Sequence, residues 1–111
     1  MSIQNEKVRD HAFLQAMLAD NYFPKHLVGK GQHLLRLLAE RIEREEPEGE
    51  AVYGPTRATA QAFNELQEEF LEAGSEIETA ARDAIGGDVE FILKAYGYDV
   101  DIEEAIGNRD W

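Results

Sequence analysis

Apolar residues recur at helical spacing along most of this chain. The strongest run lies between Asp20 and Glu43, where Leu27, Gly31, Leu34, Leu35, Leu38 and Ile42 follow one another at steps of one, three and four. That spacing stacks them on one helical face, which must be buried against other elements. A long central helix follows, from Pro24 to about Glu46. Pro24 suits a first helical position and pushes Phe23 out of the helical region, so Asn21-Tyr22-Phe23 reads as a corner. Before the corner, Asn5 caps a first helix that runs to about Asp20, with Val8, Ala12, Phe13, Met17 and, one step round, Leu14 and Leu18 as its buried stripe. Gly29 and Gly31 each cost the central helix about 1 kcal/mol relative to Ala. Either the helix bends through its first turn, or the missing side chains admit a close neighbour.

From Glu43 to Gly54 the apolar period dissolves into acidic residues around Pro47, which marks the one extended loop. A third helix opens at Pro55, places Ala62, Phe63, Leu66, Phe70 and Ala73 on one face, and stops at Gly74. Ser75 with Glu78 forms a capping box for a fourth helix through Ile77, Ala80, Ala81, Ala84 and Ile85, ended by Gly86-Gly87. Asp88 caps a fifth, with Val89, Ile92, Leu93 and Tyr96 inward and Gly97 as its stop. Asp101 with Glu104 repeats the capping box for a short sixth helix holding Ile102, Ala105 and Ile106. Strict alternation persists nowhere, so no strand is expected. The class is all-α: a single-domain bundle of five or six helices around a long central helix, over residues 1–111.

Composition bounds the function loosely. The chain has 43% hydrophobic residues, too many for a disordered tail, and its length leaves room for one core only. It has no cysteine, which removes disulfides and thiolate metal sites and fits a reducing, cytoplasmic setting. No run has the apolar length to cross a bilayer, and the first residues lack the pattern of a secretory signal. The net charge is −12, unevenly placed: residues 1–36 carry five basic and three acidic side chains, and residues 37–111 carry six and twenty. Such a charge repels nucleic-acid phosphates and anionic lipid and attracts a basic protein partner. A solvated acidic surface that simply maintains solubility is the plainer account of it.

Two blocks, Phe-Leu-Gln-Ala-Met-Leu-Ala-Asp-Asn-Tyr-Phe-Pro-Lys-His-Leu-Val from Phe13 and Gly-Ser-Glu-Ile-Glu-Thr-Ala-Ala-Arg-Asp-Ala-Ile-Gly from Gly74, together with the ending Asn-Arg-Asp-Trp, carry a resemblance. The chain resembles a set of short acidic bacterial proteins known as a domain of unknown function, over nearly its whole length. The resemblance implies a complete natural protein. It implies no reaction, ligand or partner, and no functional residues come with it.

Candidate chemistry therefore rests on the residues themselves. His26 and His33 lie two helical turns apart with Lys30 between them and Lys25 and Gly29 beside them, a small cationic patch suited to an anion or acidic ligand. The plainer reading is that the same residues form the solvated side of the central helix. No cofactor and no metal is expected. A di-iron bundle needs Glu-x-x-His, which the chain lacks, and the Asp99-Val-Asp101-Ile-Glu103 stretch has Glu104 where a calcium loop needs Gly. The serines, Ser2 and Ser75, are a terminus and a helix cap, so no triad assembles. Asp83, Glu90 and Glu76 are nominal acid–base candidates only. Arg82-Asp83 and Arg109-Asp110 read as a charged pairing that holds the last segment on the fourth helix. Trp111, the sole tryptophan, packs into a groove of its own chain or serves as an interface anchor.

These readings favour a non-catalytic protein-interaction module of regulatory or immunity type, with an acidic surface meeting a basic partner. The alternative is a small-molecule or anion binder, or an unrecognised enzyme. Its pocket would lie between the central and fifth helices near Tyr22, His26 and Tyr96.

Overall fold

A computed structural model describes residues 3–111; Ser2 lies outside them. Among the described residues six α-helices and one 3-10 turn follow in order: α1 Glu6–Arg9, α2 Gln15–Ala19, α3 Lys25–Glu45, the turn Gly49–Val52, α4 Tyr53–Glu72, α5 Thr79–Ala95 and α6 Ile102–Ala105. No strand occurs among the described residues. The protein is all-α, and α3 is the central helix.

The stripe of α3 is buried as its spacing requires: Leu27, Val28, Gly31, Leu35, Leu38, Ala39 and Ile42 are inaccessible, while Leu34 is half-buried. α4 returns antiparallel to α3, with Glu69 beside Lys30 at one end and Pro55 near Arg41 at the other. Thr59, Ala60, Phe63, Leu66 and Phe70 supply its buried side. The helix begins at Tyr53, two residues before Pro55, because the 3-10 turn leads directly into it and shortens the loop. α3 ends on Glu46 in the left-handed region at φ 45°, immediately before Pro47.

The expected first helix is two short ones. Asn5 caps α1 as expected, its side chain accepting from Val8 N–H at 3.2 Å. The chain then turns at Leu14, whose φ of 54° is unfavourable for a branched side chain. Two long-range bonds hold the turn. Leu14 N–H donates to the Asp88 carboxylate at 2.7 Å, and the Gln32 side-chain amide donates to the Phe13 carbonyl at 2.9 Å. Ala12, expected inside, is exposed as a result.

The expected fourth and fifth helices are one. α5 runs through Gly86-Gly87 because its apolar stripe of Ala81, Ile85, Val89, Ile92 and Leu93 continues across them, and packing outweighs weak propensity. Asp88 consequently caps no helix of its own. The capping box at Ser75 is not made either. Ser75 N–H bonds to the Phe70 carbonyl at 2.8 Å and closes α4 behind Gly74, at φ 79°, while its hydroxyl is buried without a partner. Asp101 does cap α6, through Glu103 N–H at 2.9 Å, but Glu104 reaches Arg57 instead of closing the box.

The last segment is fastened to α4, not through Asp83 as the charge pattern suggested. Asp110 N–H donates to Asn64 at 2.9 Å and Gln67 donates to Asp110 at 3.0 Å, while Arg109 pairs with Glu103 of α6 at 3.3 Å. Trp111 ends the chain buried, 7% exposed, with its indole N–H on the Ala60 carbonyl and its ring edge-on to Phe63. The indole is thus filled into its own chain and offers no exposed anchor to a partner.

Candidate functional site

Two open grooves flank α3, one at each end. The first lies between the N-terminal half of α3 and the C-terminal half of α4, with a volume of about 690 Å³. α3 contributes His26, Gly29, Lys30, His33 and Leu34; α4 contributes Ala62, Glu65, Leu66 and Glu69. The 3.6-residue period produces both walls. Residues 26, 30 and 33 fall on one edge of α3, and 62, 65, 66 and 69 on one edge of α4. Leu34, Ala62 and Leu66 form an apolar floor between the two charged edges.

The patch foreseen from His26, Lys30 and His33 is therefore assembled. The antiparallel register adds an acidic wall opposite it, which one helix read alone does not reveal. The Lys30 ammonium meets Glu69 at 2.5 Å across the groove, so its charge is largely matched within the chain. Lys25 turns away: its ammonium donates to the Leu18 carbonyl and ties the corner to α2. Tyr22 is 43% exposed on that corner, with its ring edge-on to Phe23.

Tyr96 lies elsewhere. It lines the second groove, of about 660 Å³, with Gln4, Asn5, Glu43, Pro47 and Tyr98. A single pocket of Tyr22, His26 and Tyr96 does not form, because α5 packs beside the C-terminal half of α3. The centre of this second groove is Glu43, which sequence reading passed over as one of many acids. Its carboxylate accepts from Gln4 N–H at 2.9 and 3.0 Å, from Asn5 N–H at 2.9 Å and from the Tyr96 hydroxyl at 2.5 Å. Burial pushes the Glu43 carboxyl up, but the Tyr96 hydroxyl and the two backbone donors outweigh it, leaving the group below its usual 4.5. Tyr96 is raised by burial, then by the hydrogen bond and negative charge of Glu43. Tyr98 is also raised, by burial and by Glu46, and its hydroxyl donates to the Pro47 carbonyl at 2.5 Å. The Glu43 carboxylate is engaged by the chain's own donors, so this groove reads as a clasp for the N-terminal segment.

Among the described residues no three His, Asp or Glu side chains converge in a way that could hold a metal ion. Asp99 and Glu76 are exposed, and Glu90 is paired with Lys94 at 3.7 Å. No described helix is long and apolar enough to cross a membrane. Comparison with curated proteins and with solved structures gives no match. Residues 7–111 match the model of the family of unknown function DUF5713, and the chain belongs to that family.

Proposed function

We propose that this protein is a non-catalytic interaction module whose α3–α4 groove receives a helical segment of a basic partner. Gly29 carries the reading. It sits inside α3, where glycine costs about 1 kcal/mol, yet a Cβ built on it meets nothing of this chain within 4 Å. The space beside it is open groove, and a side chain there would narrow it.

The shape favours a rod over a compact ligand. A smaller trough of about 170 Å³ continues along the same helices and shares Leu34 and Ala62 with the first. Together they follow α3 from His26 to Arg41, roughly 22 Å at the helical rise of about 1.5 Å per residue. An amphipathic helix fits such a trough by laying its apolar ridge on the floor. Glu65 and Glu69 on one wall, with exposed Glu68 and Glu72 behind them, favour basic residues on that side of the ridge.

The test pairs capture with a groove-filling substitution. The tagged protein retains a basic protein from native-host lysate at low salt and releases it at high salt, and Gly29→Gln, which keeps α3 helical, abolishes the capture. Equal capture by the Gly29→Gln protein would remove the groove from the reading. A small metabolite that raises the melting temperature of the wild-type protein but not of the variant would transfer the groove to the small-molecule alternative, which its volume also admits.

A further inference from the structure

A third cleft, about 240 Å³, lies between α5 and α6 and is lined by Arg82, Asp83, Gly86, Gly87, Glu103 and Arg109 among others. We propose that it is a site for a small oxyanion, the carboxylate or phosphate group of a ligand, and that the Arg82 guanidinium binds it.

Arg82 stands apart in its partners. The chain has 23 acidic residues against 11 lysines and arginines, so a half-buried arginine is expected to find a carboxylate. Arg9, Arg41, Arg44, Arg57 and Arg109 each do, and Arg36 lies over the Phe13 ring. Arg82 is the one arginine among the described residues whose side chain has no ion pair, hydrogen bond or ring contact, and its Nε is buried. A buried guanidinium N–H without an acceptor is costly, and an oxyanion supplies the two parallel acceptors that its fork geometry matches.

Three acids, Asp83, Glu90 and Glu103, line the same cleft, and none of them pairs with Arg82. Glu90 is engaged by Lys94 and Glu103 by Arg109. Asp83 also lines the cleft, but it is exposed and, as the next residue on the helix, does not face Arg82. Arg109, its charge matched by Glu103, is held at a fixed place on the cleft wall: it donates to the Ile106 carbonyl and lies over the Trp111 ring, 5.8 Å from its centroid. Gly87 keeps the cleft open. It is exposed in the middle of α5, and a Cβ there meets nothing of the chain within 4 Å. The cleft is smaller than the roughly 300–1,000 Å³ typical of whole-ligand pockets, which fits an anionic group of a few atoms and not a large metabolite.

The probes are inorganic phosphate and acetate, each titrated at constant ionic strength against chloride and read by thermal shift and by chemical-shift perturbation of the α5 amides. One of them gives a saturable response, and the one that does identifies the group as phosphoryl or carboxylate. Arg82→Gln, which breaks no ion pair or side-chain hydrogen bond within the chain, keeps the wild-type circular dichroism and weakens that binding by roughly tenfold or more. Gly87→Gln fills the cleft and also abolishes it, whereas Gly29→Gln leaves it unchanged. Absence of a saturable response to either anion in the wild-type protein overturns the proposal, as does undiminished binding by the Arg82→Gln protein.

Discussion

Gly29 and Gly31 stand two positions apart in α3, with opposite surroundings. A Cβ on Gly31 would lie 2.9 Å from Leu14 Cδ1 and 3.1 Å from Phe63 Cε1, whereas one on Gly29 would touch nothing. Leu14 and Phe63 are both buried, so neither has free room to retreat. Gly31→Ala is therefore expected to destabilise the fold by about 1 kcal/mol, the overpacking cost outweighing the gain in helix propensity. Gly29→Ala is expected to stabilise it by about 0.5–1 kcal/mol, since only the propensity changes. Urea unfolding of the two variants checks the pair, and equal signs would refute the assignment. In sequence the two glycines look alike, and both explanations of them were open. What separates them is the neighbour, which Leu14 ahead of α2 and Phe63 of α4 supply from elsewhere in the chain.

At the scale of elements, local signals were legible wherever the partner was local. The stripe of α3, the caps at Asn5 and Asp101, and the stops at Gly74 and Gly97 all concern residues within a turn or two of one another. Misreadings arose where a residue serves a distant element. Asp88 resembles a helix cap, yet it lies inside α5, and its carboxylate accepts from Leu14 N–H at 2.7 Å and contacts His11 Nε2 at 2.9 Å. The His11 ring completes the arrangement by stacking on Phe91 with centroids 4.0 Å apart. One acid inside α5 thereby holds the turn that interrupts the expected first helix. Asp88→Ala should cost about 2 kcal/mol, the value of a hydrogen bond to a charged acceptor plus an N–H left without a partner. Hydrogen exchange locates the loss. The Leu14 amide should lose its protection while the amides of α5 keep theirs, and an unchanged Leu14 amide would contradict the role given to Asp88.

Across the whole molecule both ends of the described chain are fastened to the long helices, the C-terminal end by Trp111 on α4 and the N-terminal end by Glu43 on α3. The candidate groove was half legible for a related reason. His26, Lys30 and His33 share one helix, and the helical period alone groups them, whereas Glu65 and Glu69 join them only through the antiparallel register of α3 and α4. Glu43 was illegible altogether, being one acid among many until the fold sets Gln4, Asn5 and Tyr96 around it. Its folded-state pKa lies below the ordinary 4.5, so it binds a proton less readily folded than unfolded. The stability it contributes is then fully present above the ordinary value and is lost as the pH falls through the lowered one. Glu43→Gln keeps an acceptor but removes the charge, and at neutral pH it is expected to cost about 1 kcal/mol. In acid the wild-type protein loses this advantage, so the two denaturation midpoints should converge as the pH falls below 4.5 and separate again above it. A gap that stays constant from neutral pH into acid would show that the Glu43 charge does not hold the N-terminal segment.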